Sequence, residues 1–348
     1  MLYRILKPLF FKFDPETMHS FVGGLMRFAY CVPPLRWLIR KMYCIEHPNL
    51  VRRFCGMKFS NPVGLSAGFD KNGTLFRAFS MLGFSFVEVG TVTPKGQVGN
   101  PRPRIFRIVE DEALINRMGF NNDGVYAAVK KLKGKRPKNL IVGGNIGKNT
   151  LTPNEHATDD YVKCFRELYE YVDYFTVNVS CPNVVNLSSL QNINSLKEIL
   201  DELYNLRRFF IENYKWEHKP ILLKISPDIS KEHLNDILVL AKEIELEGIV
   251  AANTTTTRDN LSEDVSHIGN GGLSGKPLTS KTLETVRYIT KQTGGQMPII
   301  AVGGIITPED AILLLLAGAT LVQVYTGLIY SGPGLVKEIN KCILDTPF

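Results

Sequence analysis

From residue 61 onward, apolar residues come in short, near-continuous runs separated by longer stretches of helical spacing. The runs at 63–67, 86–91, 140–146, 175–179, 221–225, 248–253, 299–302 and 321–325 predict eight strands. Strands apolar on both faces are parallel strands covered on both sides, and amphipathic patterns at 196–211, 231–245 and 308–317 supply covering helices. The expected fold is α/β, a (β/α)8 TIM barrel with a small N-terminal helical extension. A chain of 348 residues without low-complexity tracts is long enough to bury one such core plus an appendage.

The first 45 residues follow a different pattern. Asp14 before Pro15 and Glu16 is a helix N-cap with Pro at the first helical position, and Met18, Phe21, Val22, Leu25, Met26 and Ala29 recur at helical spacing. Pro33 and Pro34 break this helix, and a second short one carries Leu35, Trp37, Leu38, Ile39 and Met42 among Arg36, Arg40 and Lys41. Charge sharpens the picture. Residues 1–58 hold ten Lys/Arg against three acids, which is the whole net charge of +7, while the rest of the chain balances at 31 against 31. Basic amphipathic helices with Phe, Trp and Leu fit an anionic membrane surface better than nucleic acid, which needs less apolar surface. The alternative is that both helices merely pack on the body. The longest apolar run, 311–322, is interrupted by Gly318 and is too short to span a bilayer. No Arg/Ser-rich leader is read, so a peripheral location on the cytoplasmic side of a bacterial cell membrane is expected. The division is 1–45 as membrane-associating helices and 46–348 as the barrel.

Candidate chemistry collects where a barrel uses it, at the C-terminal ends of strands. In chain order these ends carry Gly68, Asp70 and Lys71; Thr91; Asn145; Asn178 with Cys181 and Asn183; Lys224; Asn253 with Thr254; Gly303 and Gly304; and Tyr325 with Thr326. Lysines at a barrel mouth need an anion or water beside them. The segment 174–191 is the centre of this set, because a strand empties there into a polar turn that places a thiol between two asparagines. Cys181 reads either as a small buried filler or as a proton acceptor beside a polar ring. Glycines at 271, 272, 275, 303 and 304 let backbone N–H groups approach phosphate, and a helix starting near Pro308 is expected to aim its N-terminus there. Lys224 would then lie against a cofactor ring and meet negative charge developing on it, as a reduced flavin demands. The six cysteines show no metal-ligand spacing, and no metal is expected.

The motifs SAGFDKN, EVGTVTP, NPRPRIFR, LINRMGFNN, NIGKN, VNVSCPN, LLKISPD, AANTT, GGLSGKPL, AVGGI and VQVYTG, in this order, resemble dihydroorotate dehydrogenase over nearly the whole chain. DPETMHS and the helices after it resemble the membrane-associated, quinone-dependent class (class 2). The resemblance implies oxidation of dihydroorotate to orotate in pyrimidine biosynthesis, with FMN as cofactor and a membrane quinone as acceptor, by a monomer that binds no nucleic acid. It implies FMN contacts at Ala67, Gly68, Phe69, Asp70, Lys71, Thr91, Asn145, Asn178, Lys224, Ala252, Gly275, Gly304, Tyr325 and Thr326. Substrate contacts are implied at Lys71, Asn116, Arg117, Met118, Gly119, Phe120, Asn178, Asn183, Asn253 and Thr254. His19, Val22, Leu25, Arg107 and Tyr325 match quinone-tunnel positions, and residue 181 matches the catalytic base.

One departure concerns that base. The quinone-dependent class typically has serine there and a threonine shortly after, whereas this chain has Cys181 and Val184, the SCPN pattern of the soluble class 1 enzymes, and Ala252 stands where threonine is common. The expectation is that a thiol, with a free pKa near about 8.5, acts as base without the hydroxyl relay. Two alternatives stay open. One is the same oxidation with a soluble acceptor, fumarate or NAD through a partner subunit; the other is a non-catalytic, membrane-tethered flavin-binding barrel.

Overall fold

The computed structural model describes residues 2–180, 190–259 and 261–346. The strands are β1 (Arg52–Phe54), β2 (Met57–Phe59), β3 (Val63–Asp70), β4 (Phe86–Val92), β5 (Ile105–Ile108), β6 (Ala113–Asn116), β7 (Ile141–Ile146), β8 (Tyr174–Asn178), β9 (Ile221–Lys224), β10 (Gly248–Ala251), β11 (Gly272–Gly275), β12 (Ile299–Val302) and β13 (Leu321–Val324). Eight of them, β3, β4, β7, β8, β9, β10, β12 and β13, form a closed parallel barrel in that order, β13 pairing back onto β3. These are the eight predicted strands, and their runs are apolar because both faces are covered: every residue of β4, β8, β9 and β10 is buried.

The barrel interior is layered. At its N-terminal end Phe86, Tyr174, Leu222, Val250, Ile300 and Leu321 pack with Phe54 and Phe59 of the β1–β2 hairpin, which plugs the bottom. The Phe59 and Phe86 rings meet edge to face at 5.3 Å. Truncating such a ring to alanine costs about 3–5 kcal/mol. Above this dry floor the inward positions turn polar, with Glu88, Asn145, Thr176, Lys224 and Gln323 all buried.

A second, antiparallel sheet joins β5, β6 and β11. Gly272–Gly275 is thus a strand of this sheet rather than a loop. The pairing of β11 with β6 spans more than 150 residues of sequence, which no local pattern signals.

Three N-terminal helices replace the two predicted: α1 (Leu2–Phe11), α2 (Pro15–Cys31) and α3 (Pro33–Tyr43). α1 contains Pro8, which masks its pattern, and it is held from outside. Tyr3 Oη donates to the Ile329 carbonyl, Lys7 Nζ donates to the Tyr330 carbonyl at 3.3 Å, and the Phe11 and Tyr330 rings lie 5.3 Å apart. Asp14 caps α2 as expected, accepting the Thr17 N–H at 2.9 Å. Pro33 and Pro34 end one helix and also open the next, since proline is tolerated in a first turn. No helix among the described residues is long and apolar enough to cross a membrane. Ten large hydrophobic side chains between Ile5 and Met42 are nonetheless exposed, Phe28 at 63% and Trp37 at 62%.

Candidate active site

A cavity of about 990 Å³ opens at the C-terminal end of the barrel, and the strand ends line it. Ala67, Gly68, Lys71, Thr91 and Asn178 lie on its wall, with Lys224, Ala252, Asn253 and Thr254. Asn116, Met118, Gly119 and Phe120 close it from the β6 side, and Gly275, Gly304, Tyr325 and Thr326 from the last strands. Among the described residues its wall holds two lysines and no carboxylate. Burial pushes the Lys71 ammonium down to about 8, aided by the Arg104 charge and opposed by Glu16 and Asp70. Its Nζ donates to the Gly68 carbonyl at 2.8 Å, which holds it at the mouth.

Behind the wall runs a chain of buried hydrogen bonds. Asn253 Nδ2 donates to Asn178 Oδ1 at 3.3 Å and to Ser180 Oγ at 3.0 Å. Asn178 Nδ2 donates to Thr91 Oγ1 at 3.0 Å and Asn145 Oδ1 at 3.2 Å, and the Thr91 hydroxyl donates to Asn145 Oδ1 at 2.6 Å. Asn145 is fully buried beneath Thr91 and Asn178; it supports the wall rather than forming it. Satisfied networks of this kind fix amide orientation, so a ring with both N–H and C=O edges meets donors and acceptors already aimed.

Several predicted side chains point elsewhere. The Asp70 carboxylate turns into its own loop and accepts the N–H groups of Thr74, Leu75 and Phe76 at 2.7–2.8 Å, while burial raises its pKa. Arg117 donates to the Ile268 and Pro103 carbonyls and covers the Phe106 ring, away from the cavity. Phe69 stands behind the wall, its ring 5.2 Å from Tyr325 and 5.0 Å from His19. His19 therefore reaches the cavity wall only through Phe69. Burial, with the Lys71 charge second, drives the His19 pKa down to about 4. Arg107 donates to the Phe11 and Phe13 carbonyls and covers the Phe11 ring, Val22 is half-buried and Leu25 is exposed. Of the five tunnel positions only Tyr325 lines the cavity, and burial lifts its phenol to about 12. Cys181 and Asn183 lie outside the described residues, as does Val184.

The glycine cradle is real, but the expected helix is not its partner. A Cβ on Gly304 would sit 2.3 Å from Thr279 Cα, and one on Gly275 2.3 Å from the Glu112 carbonyl, both at positive φ. The helix Pro308–Leu316 spends its N-terminus on a capping box with Thr307 and Asp310 and lends the cavity nothing. The short helix Thr326–Tyr330 supplies Thr326 and Gly327 instead, with the Thr326 and Ser274 hydroxyls 2.8 Å apart. Ser66, Ser274 and Gln323 line the cavity without having been singled out, although Gln323 was findable as a polar residue inside an apolar strand.

Residues 49–346 match the family model described as Dihydroorotate dehydrogenase. The chain is 49% identical over 346 residues to the dihydroorotate dehydrogenase (quinone) of Christiangramia forsetii, covering 99% of both chains. It is 47% identical over 343 residues to that of Coxiella burnetii, covering 97% of this chain and 96% of the relative. The crystal structure of DHODH from Eimeria tenella in complex with ferulenol superposes with a TM-score of 0.87 at 36% identity, covering 95% of this chain and 91% of that one. With its barrel, its polar mouth and these relatives, the chain belongs to the dihydroorotate dehydrogenase family.

Proposed function

We propose that this protein oxidises (S)-dihydroorotate to orotate in de novo pyrimidine biosynthesis and passes the electrons through FMN to a quinone. The observation that carries the reading is a cavity whose described wall has two lysines, an asparagine set and no carboxylate. A cyclic ureide bearing a carboxylate and a phosphorylated flavin are both anions with N–H and C=O edges, and such a wall suits both. Gly275, Gly304 and Thr326 supply the close backbone approach for the phosphate, and Lys224 stands where the ring would lie. Bound FMN supplies hydride acceptance from the substrate and onward electron transfer to the quinone.

The chain's own residues do the rest. Lys71 and the segment from Asn116 to Phe120 hold the carboxylate end, while Asn178, Asn253 and Thr254 present amide and hydroxyl groups to the ring. Cys181 takes the proton from C5 as hydride leaves C6. The first 45 residues then act as the membrane-associating, quinone-admitting segment on 46–348. Support comes from the exposed apolar side chains of α1 to α3 and from the contact of His19 with Phe69 against Tyr325.

The test is anaerobic reduction of the full-length holoprotein by dihydroorotate, followed by reoxidation with a soluble quinone, fumarate or NAD. Fast reoxidation by quinone alone is expected. Equal service by fumarate would assign the soluble chemistry that the SCPN loop resembles, and no reduction at all would leave a flavin-binding barrel.

A further inference from the structure

Glu88 sits inside the barrel one layer below the cavity, with no exposed surface. Three buried groups donate to it: Asn145 Nδ2 to Oε1 at 2.7 Å, Gln323 Nε2 to Oε2 at 2.8 Å, and the Tyr174 hydroxyl to Oε2 at 3.3 Å. A group that only accepts dictates which way each neighbouring amide faces. Turned over, either amide would set its carbonyl against the carboxylate. Glu88 therefore points the NH₂ of Asn145 and of Gln323 downward and both carbonyls toward the cavity side.

The two carbonyls then fare differently. Asn145 Oδ1 is met by Thr91 and Asn178. Gln323 Oε1 is buried with no hydrogen-bond partner among the described residues, although Gln323 lines the cavity. A buried acceptor left unpaired costs about 1–3 kcal/mol, so its partner is to be sought in what the cavity binds.

We propose that Gln323 Oε1 accepts a hydrogen bond from a ring N–H of the bound flavin, and that Glu88 is the positioning residue that aims it. This rests on the flavin reading above. An oxidised isoalloxazine ring offers one N–H, at N3, and two-electron reduction adds an N–H at N5. The carbonyl serves recognition if it faces the first and favours the reduced ring if it faces the second.

The test begins with the flavin content of the wild-type holoprotein. A wild type that neither holds nor takes up FMN removes the flavin reading itself. With FMN bound, Gln323→Met, which keeps the length and lacks the carbonyl, is compared with wild type in FMN affinity and in midpoint potential. Loss of one such bond weakens binding of the oxidised or of the reduced ring about tenfold. For an N3–H partner, affinity for oxidised FMN falls and wild-type discrimination against 3-methyl-FMN shrinks in the variant. For an N5–H partner, oxidised affinity holds and the potential falls by about 30 mV, the two-electron equivalent of tenfold. Glu88→Gln, which frees the amide to turn, is expected to reproduce the same signature in weaker form while Gln323 itself is intact. If a folded Gln323→Met holoprotein keeps both the FMN affinity and the potential of wild type, the carbonyl belongs to an internal water or to packing and the proposal is overturned.

Discussion

Arg104 grips Glu16 with both sides of its guanidinium, Nε to Oε2 at 3.0 Å and Nη2 to Oε1 at 2.9 Å, with only 7% and 13% of the two side chains exposed. Nη1 of the same arginine donates to the carbonyls of Val98 and Asn100, and its own carbonyl accepts the Arg117 N–H. Asn100 in turn donates from its backbone to the Met118 carbonyl. The first turn of α2 is thereby fastened to the segment that closes the cavity.

Glu16→Gln is expected to loosen both ends of that connection. Breaking a buried, bidentate pair costs about 3 kcal/mol, and part of it falls on residues 116–120. Faster hydrogen exchange in that segment together with a raised KM for dihydroorotate is the expected pair of results. A change confined to the quinone half-reaction would show that the pair fastens the helix alone.

Lys71 sets a pH limit on binding anions. Its pKa of about 8 means that the free site loses its cation as pH rises through 8, whereas a bound carboxylate favours the protonated form. Orotate affinity should fall about tenfold per pH unit just above 8, with proton uptake on binding there. Calorimetry at pH 8.5 in two buffers of different ionisation enthalpy measures that uptake; Lys71→Met should abolish it.

His19 works in the opposite direction on stability. Its folded pKa of about 4 lies below the ordinary value of 6.5, so the unfolded chain binds the extra proton between these limits. The contribution is complete above pH 6.5 and is lost as pH falls toward 4. His19→Phe, which keeps the ring against Phe69, should flatten that part of the urea-midpoint profile. An unchanged slope would mean that His19 is solvated in solution.

For Cys181 the prediction rests on position. Removing a general base costs about 10²–10⁴-fold, which is the loss expected for flavin reduction in Cys181→Ala. In Cys181→Ser the rate should go on rising beyond the pH at which the thiol enzyme levels off, because the hydroxyl ionises far higher. Superposable pH profiles for thiol and hydroxyl would rule the thiol out as base.

Membrane association is tested on side chains that pack against little. Phe28 and Trp37 are exposed, so replacing both with serine should leave stability within about 0.5 kcal/mol per site. Cosedimentation with anionic vesicles should drop sharply, and undiminished binding would assign these helices to packing.

The barrel was legible in the sequence because parallel strands write themselves as apolar runs, and the cavity because lysines and asparagines at strand ends have few structural uses. What stayed hidden had no local signal. The β1–β2 hairpin turns at Cys55 and Gly56, both at positive φ, without the Asn-Gly or Asp-Gly pair that marks such turns. Helix α1 is interrupted by Pro8 and depends on carbonyls more than 300 residues away. Asp70 was read as a cavity residue because a carboxylate at a strand end looks chemical, yet three backbone N–H groups claim it.

The aromatic hairpin beneath the barrel has a last consequence. A tube stoppered at one end is a cul-de-sac, and whatever crosses its interior, water, proton or ligand, must enter and leave on the side of the polar mouth. Traffic measured at that single gate accounts for the whole interior, so an isotope label placed in the Glu88 layer should wash out only as fast as the mouth opens.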